Sequence, residues 1–334
     1  MSTAATTYCE AILQAFEHLL EHHEDVFVIG QGLWSPWYVG NSMKDLDRKF
    51  GTDRIMDTPV SEDGTTGVAV GASLCGDRPI VVHPRLDFMI LAANSLVNQA
   101  AKWSHMLGGK AHPSMTVRGI INRGGEQGAQ HSQALHAWFA HVPGLRVVMP
   151  ATAADARDLL IASVLCDDPV LYIDDRWCYD DAEVLPPVVE RPLWAERPRV
   201  IRDGRDITLV GAGHSTLLCR QAAEELAAQG ISAEVVDLRV VNPLDHQVVT
   251  QSVERTRRLC VVDGGWSTCG LAGEVIAGVV ERLGPGTLVA APRRVTLPDA
   301  PAPSSSALER VYYPSVATVT AAATSIIGNS ASVR

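Results

Sequence analysis

Closely spaced cysteines are missing from this chain of 334 residues. Its seven cysteines are scattered, their number is odd, and no two of them form a CxxC pair. Disulfide frameworks and cysteine-based zinc sites need paired or clustered cysteines, so we expect neither. The pattern is typical of a reduced protein, and the cytoplasm is the location that we expect.

Positive charge is also scarce. Lys and Arg number 28 against 38 Asp and Glu, which gives a formal net charge of -10. Such a balance disfavours sequence-independent binding to nucleic acid, which depends on neutralising phosphates. No apolar run reaches membrane-spanning length, and the first residues lack the basic-then-apolar pattern of a secretory signal. We therefore expect no nucleic-acid partner, no membrane partner and no secretory signal.

Common nucleotide and metal motifs are absent or incomplete. GxxxxGK[ST] and HExxH do not occur, and "GQGLWS" and "GAGHST" both lack the last glycine of GxGxxG. The reversed motif HxxEH occurs once, as His18, Glu21 and His22 in "HLLEH". The polar face of an amphipathic helix explains so short a match, and no obvious third ligand follows it. We predict no catalytic transition metal.

Helical and strand-like patterns alternate along the chain. Short apolar runs such as "VFVIG", "RPIVV" and "VLYID" alternate with helical spacings such as "YCEAILQAFEHLLEHH" and "TAADARDLLIASVL". This alternation predicts an α/β fold with mostly parallel sheets covered by helices. A stretch rich in proline and charge predicts a linker over 186–204, after which the alternation restarts. We predict two domains of this kind, at 1–185 and 205–334.

Two acids open a helix of small residues in "DTPVSEDGTTGVAVGASLCG". Ser61 or Asp63 could cap the free N–H groups, and acids suit the positive end of the helix dipole. The alternative is that Glu62 is a carboxylate held in a site. The octapeptide "DTPVSEDG" alone does not decide between them.

Two polar loops follow other strands. One loop, "RGIINRGGEQGAQHSQALHAWF", places residues 130–133, with His131, where we expect the loop to become a helix. The other, "VVHPRLDFMI", places His83 and Arg85 after a buried strand and Phe88 at the start of the next helix. Sites in α/β sheets usually lie at such strand ends, although polar surface loops look the same.

Together these stretches resemble the β subunit of the thiamine-diphosphate-dependent 2-oxo acid dehydrogenase E1 component, the group of pyruvate, branched-chain and acetoin dehydrogenases. The similarity covers nearly the whole chain in order, including "DTPVSEDGTTGVAVGASLCGDRPIV", "GAQHSQALHAWFAHVPGLRVVMP", "VVDLRVVNPLD" and "VVDGG". It implies a transketolase-like pyrimidine-binding domain followed by a transketolase C-terminal domain. It also implies decarboxylation of a 2-oxo acid and transfer of the acyl unit.

The resemblance implies only half of an active site. In this family the β chain binds the aminopyrimidine end of thiamine diphosphate, whereas a separate α chain binds the diphosphate and Mg²⁺. The sequence agrees, since it shows no diphosphate or magnesium motif of its own. We therefore expect an α₂β₂ heterotetramer, inactivity of this chain alone, and a lipoyl-bearing acyltransferase as a further partner.

Four positions match the family's catalytic and cofactor-binding residues. The resemblance gives Glu62 the role of the catalytic glutamate that hydrogen-bonds N1′ of the pyrimidine, and Phe88 that of the aromatic residue stacked on it. His131 matches a catalytic histidine near the substrate. Gln31 stands where the family usually has the first acid of "GEE" or "GED", so it is expected near the cofactor without a negative charge.

The remaining expectations concern ions and substrate. The family's monovalent cation, K⁺, would be held largely through main-chain carbonyls at Met115, Ser163, Cys166 and Asp168. Cys166 replaces the family's common aspartate. Three basic residues appear in loops expected near the site: His83, Arg85 and Arg123. They predict a more polar or anionic substrate than the 2-oxo acids of central metabolism. Alternatively, the two arginines face solvent or the α chain.

Two other functions remain open at this point. A transketolase-like acyl or ketol transfer to a small molecule in specialised biosynthesis would keep the cofactor chemistry. The other possibility is a catalytically silent partner of an α chain, which would not carry out the cofactor chemistry. Retention of Glu62, Phe88 and His131 favours an enzyme, whereas Gln31 favours the silent partner.

Overall fold

The computed structural model describes residues 4–35 and 37–329. Two compact units form: one joins the residues up to Asn122 with Trp138–Glu196, and the other joins Arg123–Ala137 with the residues from Arg197 onward. Arg123–Ala137 lie inside the predicted first domain, yet they group with the second unit. Within the described ranges, no helix is both long and apolar enough to cross a membrane.

The first unit is built on a parallel sheet. Its strands are β1 Thr6–Thr7, β2 Val26–Gly30, β3 Ile55–Asp57, β4 Arg78–His83, β5 Thr116–Ile121, β6 Arg146–Val148, β7 Val170–Asp175 and β8 Ala182–Glu183. Six of them pair in parallel in the order β6-β7-β5-β4-β2-β3, while β1 and β8 form a small antiparallel pair. All residues of β5 and β7 are buried, as expected for strands covered on both faces.

Helices of the first half connect these strands. They are α1 Tyr8–His22, α2 Leu46–Phe50, α3 Glu62–Leu74, α4 Ala101–Met106, α5 His136–Ala140 and α6 Ala153–Val164, with 3₁₀ turns at Arg176–Cys178 and Leu193–Ala195. The helical stretch that Phe88 opens changes pitch on its way to α4. It is a 3₁₀ helix over Phe88–Ala92 and a π-helix over Asn94–Ala100. Such pitch changes are often found beside functional sites.

The second unit has its own sheet. The strands in this part of the chain are β9 Arg199–Arg202, β10 Ile207–Gly211, β11 Ala233–Asp237, β12 Val240–Asn242, β13 Leu259–Trp266 and β14 Arg293–Leu297. Its helices are α7 His214–Ala228, α8 Gln247–Thr256, α9 Leu271–Leu283, α10 Ser306–Tyr312 and α11 Val316–Asn329, with a 3₁₀ turn at Pro285–Thr287. The sheet order is β14-β13-β10-β11-β9, parallel except for β9. The predicted α/β fold with mostly parallel sheets is confirmed.

The predicted linker at 186–204 is wrong at its C-terminal end. Residues Arg199–Arg202 pair antiparallel with β11 as an edge strand of the second sheet. Ile201 packs against the apolar core that α7, α11 and the strands enclose. The neighbouring prolines and charges indicated a linker instead of a strand. The strand forms through pairing with β11, which is distant in sequence and could not be read from the local pattern.

Candidate active site

Three neighbouring strands of the first sheet end around one small pocket. Gln31 follows β2, Glu62 begins α3 shortly after β3, and His83 is the last residue of β4. Because β3, β2 and β4 are adjacent and parallel, their carboxyl ends meet at one edge of the sheet. The three side chains line the pocket with Gly30, Thr58, Pro59, Ser61, Thr65 and Val82.

Glu62 and Asp63 have different surroundings. Glu62 is only 6% exposed and lines the pocket. The Asp63 carboxylate accepts a hydrogen bond of 2.8 Å from the Ser95 hydroxyl of the π-helix. Ser61, which precedes α3, makes no side-chain cap. Capping by Ser61 therefore does not explain this helix start, and only Glu62 is a candidate for chemistry in the pocket.

His83 is a buried and neutral histidine. Its side chain lies within hydrogen-bonding distance of the Thr66 hydroxyl, with 3.0 Å between Nε2 and Oγ1. Burial lowers the pKa of His83 to about 4, since the charged form loses its hydration. His83 therefore lines the pocket as predicted, but it brings no positive charge at neutral pH. Its role toward a substrate stays a prediction, and that role would be played by a neutral imidazole.

Gln31 is held by the loop that follows it. Its amide nitrogen donates a 3.0 Å hydrogen bond to the hydroxyl of Tyr38. The Tyr38 ring lies against Gly32, where a Cβ would come within 2.1 Å of it, and Gly32 has a φ of +70°. A glycine is required there on both counts. Tyr38 thus fixes the orientation of the Gln31 amide at the pocket.

Arg85 and Phe88 follow β4 but are not among the described residues that line the pocket. Arg85 donates a 3.2 Å hydrogen bond to the carbonyl of Asn122 at the end of β5. Burial, and then the charge of nearby Arg176, lower the pKa of Arg85. Phe88 is half-buried, and its 3₁₀ helix packs against α3. Both residues thus lie in the segment that follows β4, next to the elements that form the pocket.

Arg123 and His131 belong to the second unit. Arg123 is buried there: it donates a 3.0 Å hydrogen bond to the Gly264 carbonyl, and its guanidinium lies 5.9 Å from the centre of the Tyr313 ring. These contacts give Arg123 a packing role, so its predicted role toward substrate gains no support. His131 is half-buried in a turn. The expected helix start at 130–133 is wrong, because α5 begins only at His136.

A buried pair that the sequence did not reveal lies at the start of α5. His136 Nε2 lies 2.9 Å from Oδ1 of Asp263, at the end of the apolar run of β13. Two backbone N–H groups also donate to this carboxylate. Burial alone disfavours its charge, yet the pKa of Asp263 lies below its ordinary value because His136 and these N–H groups stabilise the ionised form. The acidic residue within the run "VVDGG" was the sequence feature that could have indicated this buried pair.

The predicted cation-binding carbonyls have other partners. The Met115 carbonyl accepts from the N–H of Val170 at 2.9 Å. The Cys166 carbonyl accepts from the Arg78 guanidinium at 3.0 Å. An additional cation there would lie near this positive charge, and the monovalent-ion site stays a prediction. The Asp168 carboxylate is paired with Arg146, and the Ser163 carbonyl accepts from the N–H of Cys166.

Comparison with known proteins identifies the family. The transketolase pyrimidine-binding domain matches residues 4–176, and the transketolase C-terminal domain matches residues 197–319. The β subunit of acetoin:2,6-dichlorophenolindophenol oxidoreductase from Cupriavidus necator is 40% identical over 280 residues, which are 84% of this chain and 82% of that protein. The pyruvate dehydrogenase E1 β subunit of Dictyostelium discoideum is 36% identical, across 92% of this chain and 87% of its own. This chain belongs to the E1 β-subunit family of 2-oxo acid dehydrogenases.

Other relatives agree with this E1 β assignment. The mitochondrial pyruvate dehydrogenase E1 β subunit of Saccharomyces cerevisiae is 34% identical, across 98% of this chain and 90% of its own. A solved structure described as a split-gene transketolase, an inactive β4 tetramer, aligns with a TM-score of 0.77 at 22% identity, over 97% of this chain and 99% of its own. That likeness shows the shared fold. The predicted family, its enzyme class and its dependence on thiamine diphosphate are confirmed.

Proposed function

We propose that this E1 β chain forms half of an α₂β₂ oxidoreductase component that decarboxylates a 2-oxo acid and passes on the acyl unit. The observation that carries the proposal is the position of Glu62. It is the first residue of α3, it is buried, and it faces a pocket at the ends of three adjacent parallel strands. That pocket lies within the matched pyrimidine-binding domain.

The residues of the pocket suit the aminopyrimidine end of thiamine diphosphate. Glu62 and Gln31 offer polar groups, and Pro59 and Val82 offer apolar surface. The bound cofactor would supply the carbanion chemistry of decarboxylation. Glu62 would hold the proton shared with pyrimidine N1′, in a position that excludes most water. Neutral His83 would leave the charge balance at Glu62 unchanged.

Other chains would supply the remaining binding and acyl-accepting functions. The α chain would bind the diphosphate and Mg²⁺, so this chain would be inactive alone. A lipoyl-bearing acyltransferase would accept the acyl unit, with His131 acting near the substrate. The seven cysteines are all free, which accords with the cytoplasmic location that we expect.

The prediction of an anionic substrate now depends on Arg85. His83 is neutral, and Arg123 is packed against Gly264 and Tyr313. Arg85 is half-buried, follows the strand that ends at His83, and keeps its charge at neutral pH. We propose it as the residue that would recognise a second anionic group on the substrate.

The decisive experiment is Glu62→Gln in the chain co-expressed with an α-type subunit. We expect release of CO₂ from 2-oxo acids to fall about 100-fold or more, as is typical when a proton-transferring group is lost. Size-exclusion chromatography should show an unchanged α₂β₂ assembly. The matched control is Asp63→Asn, because Asp63 is bound to Ser95 and should leave turnover within about threefold of the unsubstituted enzyme.

Three results would contradict the proposal. Unchanged turnover of Glu62→Gln would remove the role of this residue. A wild-type complex that binds thiamine diphosphate but releases no CO₂ from any 2-oxo acid would favour the silent partner. Release of CO₂ with transfer only to a small-molecule acceptor would favour the acyl or ketol transferase instead.

A further inference from the structure

Two histidines and a glutamate of the first unit converge on one point outside the pocket. His18 lies in α1, His23 directly follows its last residue, and Glu190 lies in the chain after β8. The Nε2 atoms of both histidines approach the same Glu190 oxygen, Oε1, at 2.9 and 2.8 Å. The three possible ligand atoms all lie within 4.8 Å of one another.

The end of α1 explains how the two imidazoles meet. His23 leaves the helix with an extended backbone, while its N–H still donates to the carbonyl of Leu19. His18 lies five residues earlier, which is about 1.4 helical turns, so the departure of His23 from the helix is what lets the two imidazoles meet. The third member is 167 positions beyond His23, which is why no third ligand is evident from the local sequence.

The HxxEH motif is not this cluster. The carboxylate of Glu21 binds Lys49 at 2.7 Å. His22 stacks on His18, with 4.4 Å between ring centroids, and its Nδ1 lies 2.8 Å from the His18 carbonyl oxygen. The motif's own glutamate and second histidine are therefore engaged elsewhere. His22 offers a matched control for any experiment on its neighbours.

We propose that His18, His23 and Glu190 bind a divalent transition-metal ion, with Zn²⁺ the ion that fits best. Two imidazoles and a carboxylate are a common zinc ligand set, with water as the fourth ligand. Bound there, the ion would fasten the chain after β8 to the end of α1. Such a site is consistent with the prediction that no transition metal is catalytic here.

The geometry needs only a small adjustment to accept the ion. Ligand bonds of about 2.0–2.2 Å in a tetrahedral site place neighbouring ligand atoms about 3.3 Å apart. The present nitrogen–oxygen separations would widen by about half an ångström, and the nitrogen–nitrogen separation, at most 4.8 Å, would close to a similar value. The His18, His23 and Glu190 side chains are 19%, 23% and 41% exposed, so they have room to do so. Each imidazole would lose the Nε2 proton that now faces Glu190, offer that lone pair to the ion, and carry its proton on Nδ1 instead.

The charge of the cluster also suits a cation. Hydrogen bonds from His23 and His18 lower the pKa of Glu190, so the carboxylate is ionised at neutral pH. Metal binding would replace these hydrogen bonds by coordination. Because the ligands must be deprotonated, binding should weaken as the pH falls.

The test uses the untagged full-length chain, stripped with EDTA and titrated with ZnCl₂ by calorimetry at neutral pH. We expect one Zn²⁺ per chain for wild type and for His22→Gln. His23→Gln and Glu190→Gln should each bind at least tenfold more weakly. Zn²⁺ should raise the melting temperature of wild type and His22→Gln, and leave that of the other two variants unchanged.

A second measurement guards against binding by other histidines. Co²⁺ should give the visible absorption of a low-symmetry nitrogen and oxygen site in wild type and His22→Gln, and that absorption should be lost in His18→Gln. Circular dichroism would verify that each variant is folded. The proposal is overturned if wild type binds no stoichiometric Zn²⁺, or if His23→Gln and Glu190→Gln keep wild-type affinity. Neither readout depends on enzymatic activity.

Discussion

At the scale of single residues, the protonation state of His83 depends on burial. The imidazole is 3% exposed and bonds to Thr66, so its neutral form is strongly favoured in the folded chain. In the unfolded chain the same group has a pKa of about 6.5. Between that value and the folded pKa of about 4, the unfolded state binds more protons. His83 therefore makes the protein less stable as the pH falls through this window.

This difference predicts a measurable loss of stability in mild acid. Lowering the pH from 7 to 5 should cost about 2 kcal/mol of unfolding free energy through His83 alone. His83→Gln, which can still hydrogen-bond Thr66, should remove that part of the pH dependence. Urea unfolding of both proteins at the two pH values measures it. Equal losses in both proteins would show that His83 does not titrate as burial requires.

Several residues that line the pocket could be predicted from the sequence, but the charge of the pocket could not. Gln31, Glu62 and His83 each follow a recognisable strand, and parallel strands end together. The neutrality of His83 comes from packing by residues distant in sequence. The packing of Arg123 against Gly264 and Tyr313 likewise depends on residues more than a hundred positions away.

At the scale of elements, β5 and β7 are joined by a buried ion pair. Arg118 donates from Nε and Nη2 to the two carboxylate oxygens of Asp174, at 2.9 and 2.8 Å. The Tyr179 hydroxyl donates to the same carboxylate. Arg118 and Asp174 are both fully buried. Removing one charge would leave the other unpaired in the core of the sheet.

Asp174→Asn should therefore destabilise the chain by about 3–5 kcal/mol. The double substitution Arg118→Met with Asp174→Leu should cost much less, because it leaves no unpaired buried charge. Chemical denaturation of both variants gives the two values. If the single and double variants were equally unstable, packing rather than charge would explain the loss.

The pitch changes after β4 show where element prediction stops. Apolar spacing indicated a helix from Phe88, and a helical stretch is present. Its 3₁₀ and π sections accompany a contact with another element, the hydrogen bond from Ser95 to Asp63 at the start of α3. Local sequence does not contain that contact. The same applies to β9, whose pairing with β11 overrides the prolines that precede it and its own charges.

At the scale of the whole molecule, the segment Arg123–Ala137 is docked by polar contacts within the second unit. His136 bonds to Asp263, and Arg123 bonds to the Gly264 carbonyl. The Glu126 carboxylate accepts from the N–H of Ser306, and the Glu126 N–H donates to Glu309. The segment is rich in glycine and has little regular structure, so these contacts hold it in place.

Asp263→Asn should loosen this segment. Loss of the buried carboxylate that accepts from His136 and two backbone N–H groups costs about 1.5–3 kcal/mol, which raises the open population about tenfold to a hundredfold. Tryptic cleavage after Arg123 should accelerate accordingly in limited proteolysis. Glu234→Gln is the control, since it removes the carboxylate of a separate ion pair in the same unit, that of Glu234 with Arg255. Equal cleavage rates in Asp263→Asn and wild type would contradict this anchoring.

The docking of this segment has a consequence for protein synthesis. His136 leaves the ribosome 127 residues before the Asp263 that receives it. At the usual 5–20 residues per second, that interval lasts about 6–25 seconds. During this time the nascent chain carries a glycine-rich segment whose binding surface has not yet been made. Chaperones and proteases would meet it in that state before the finished enzyme subunit does.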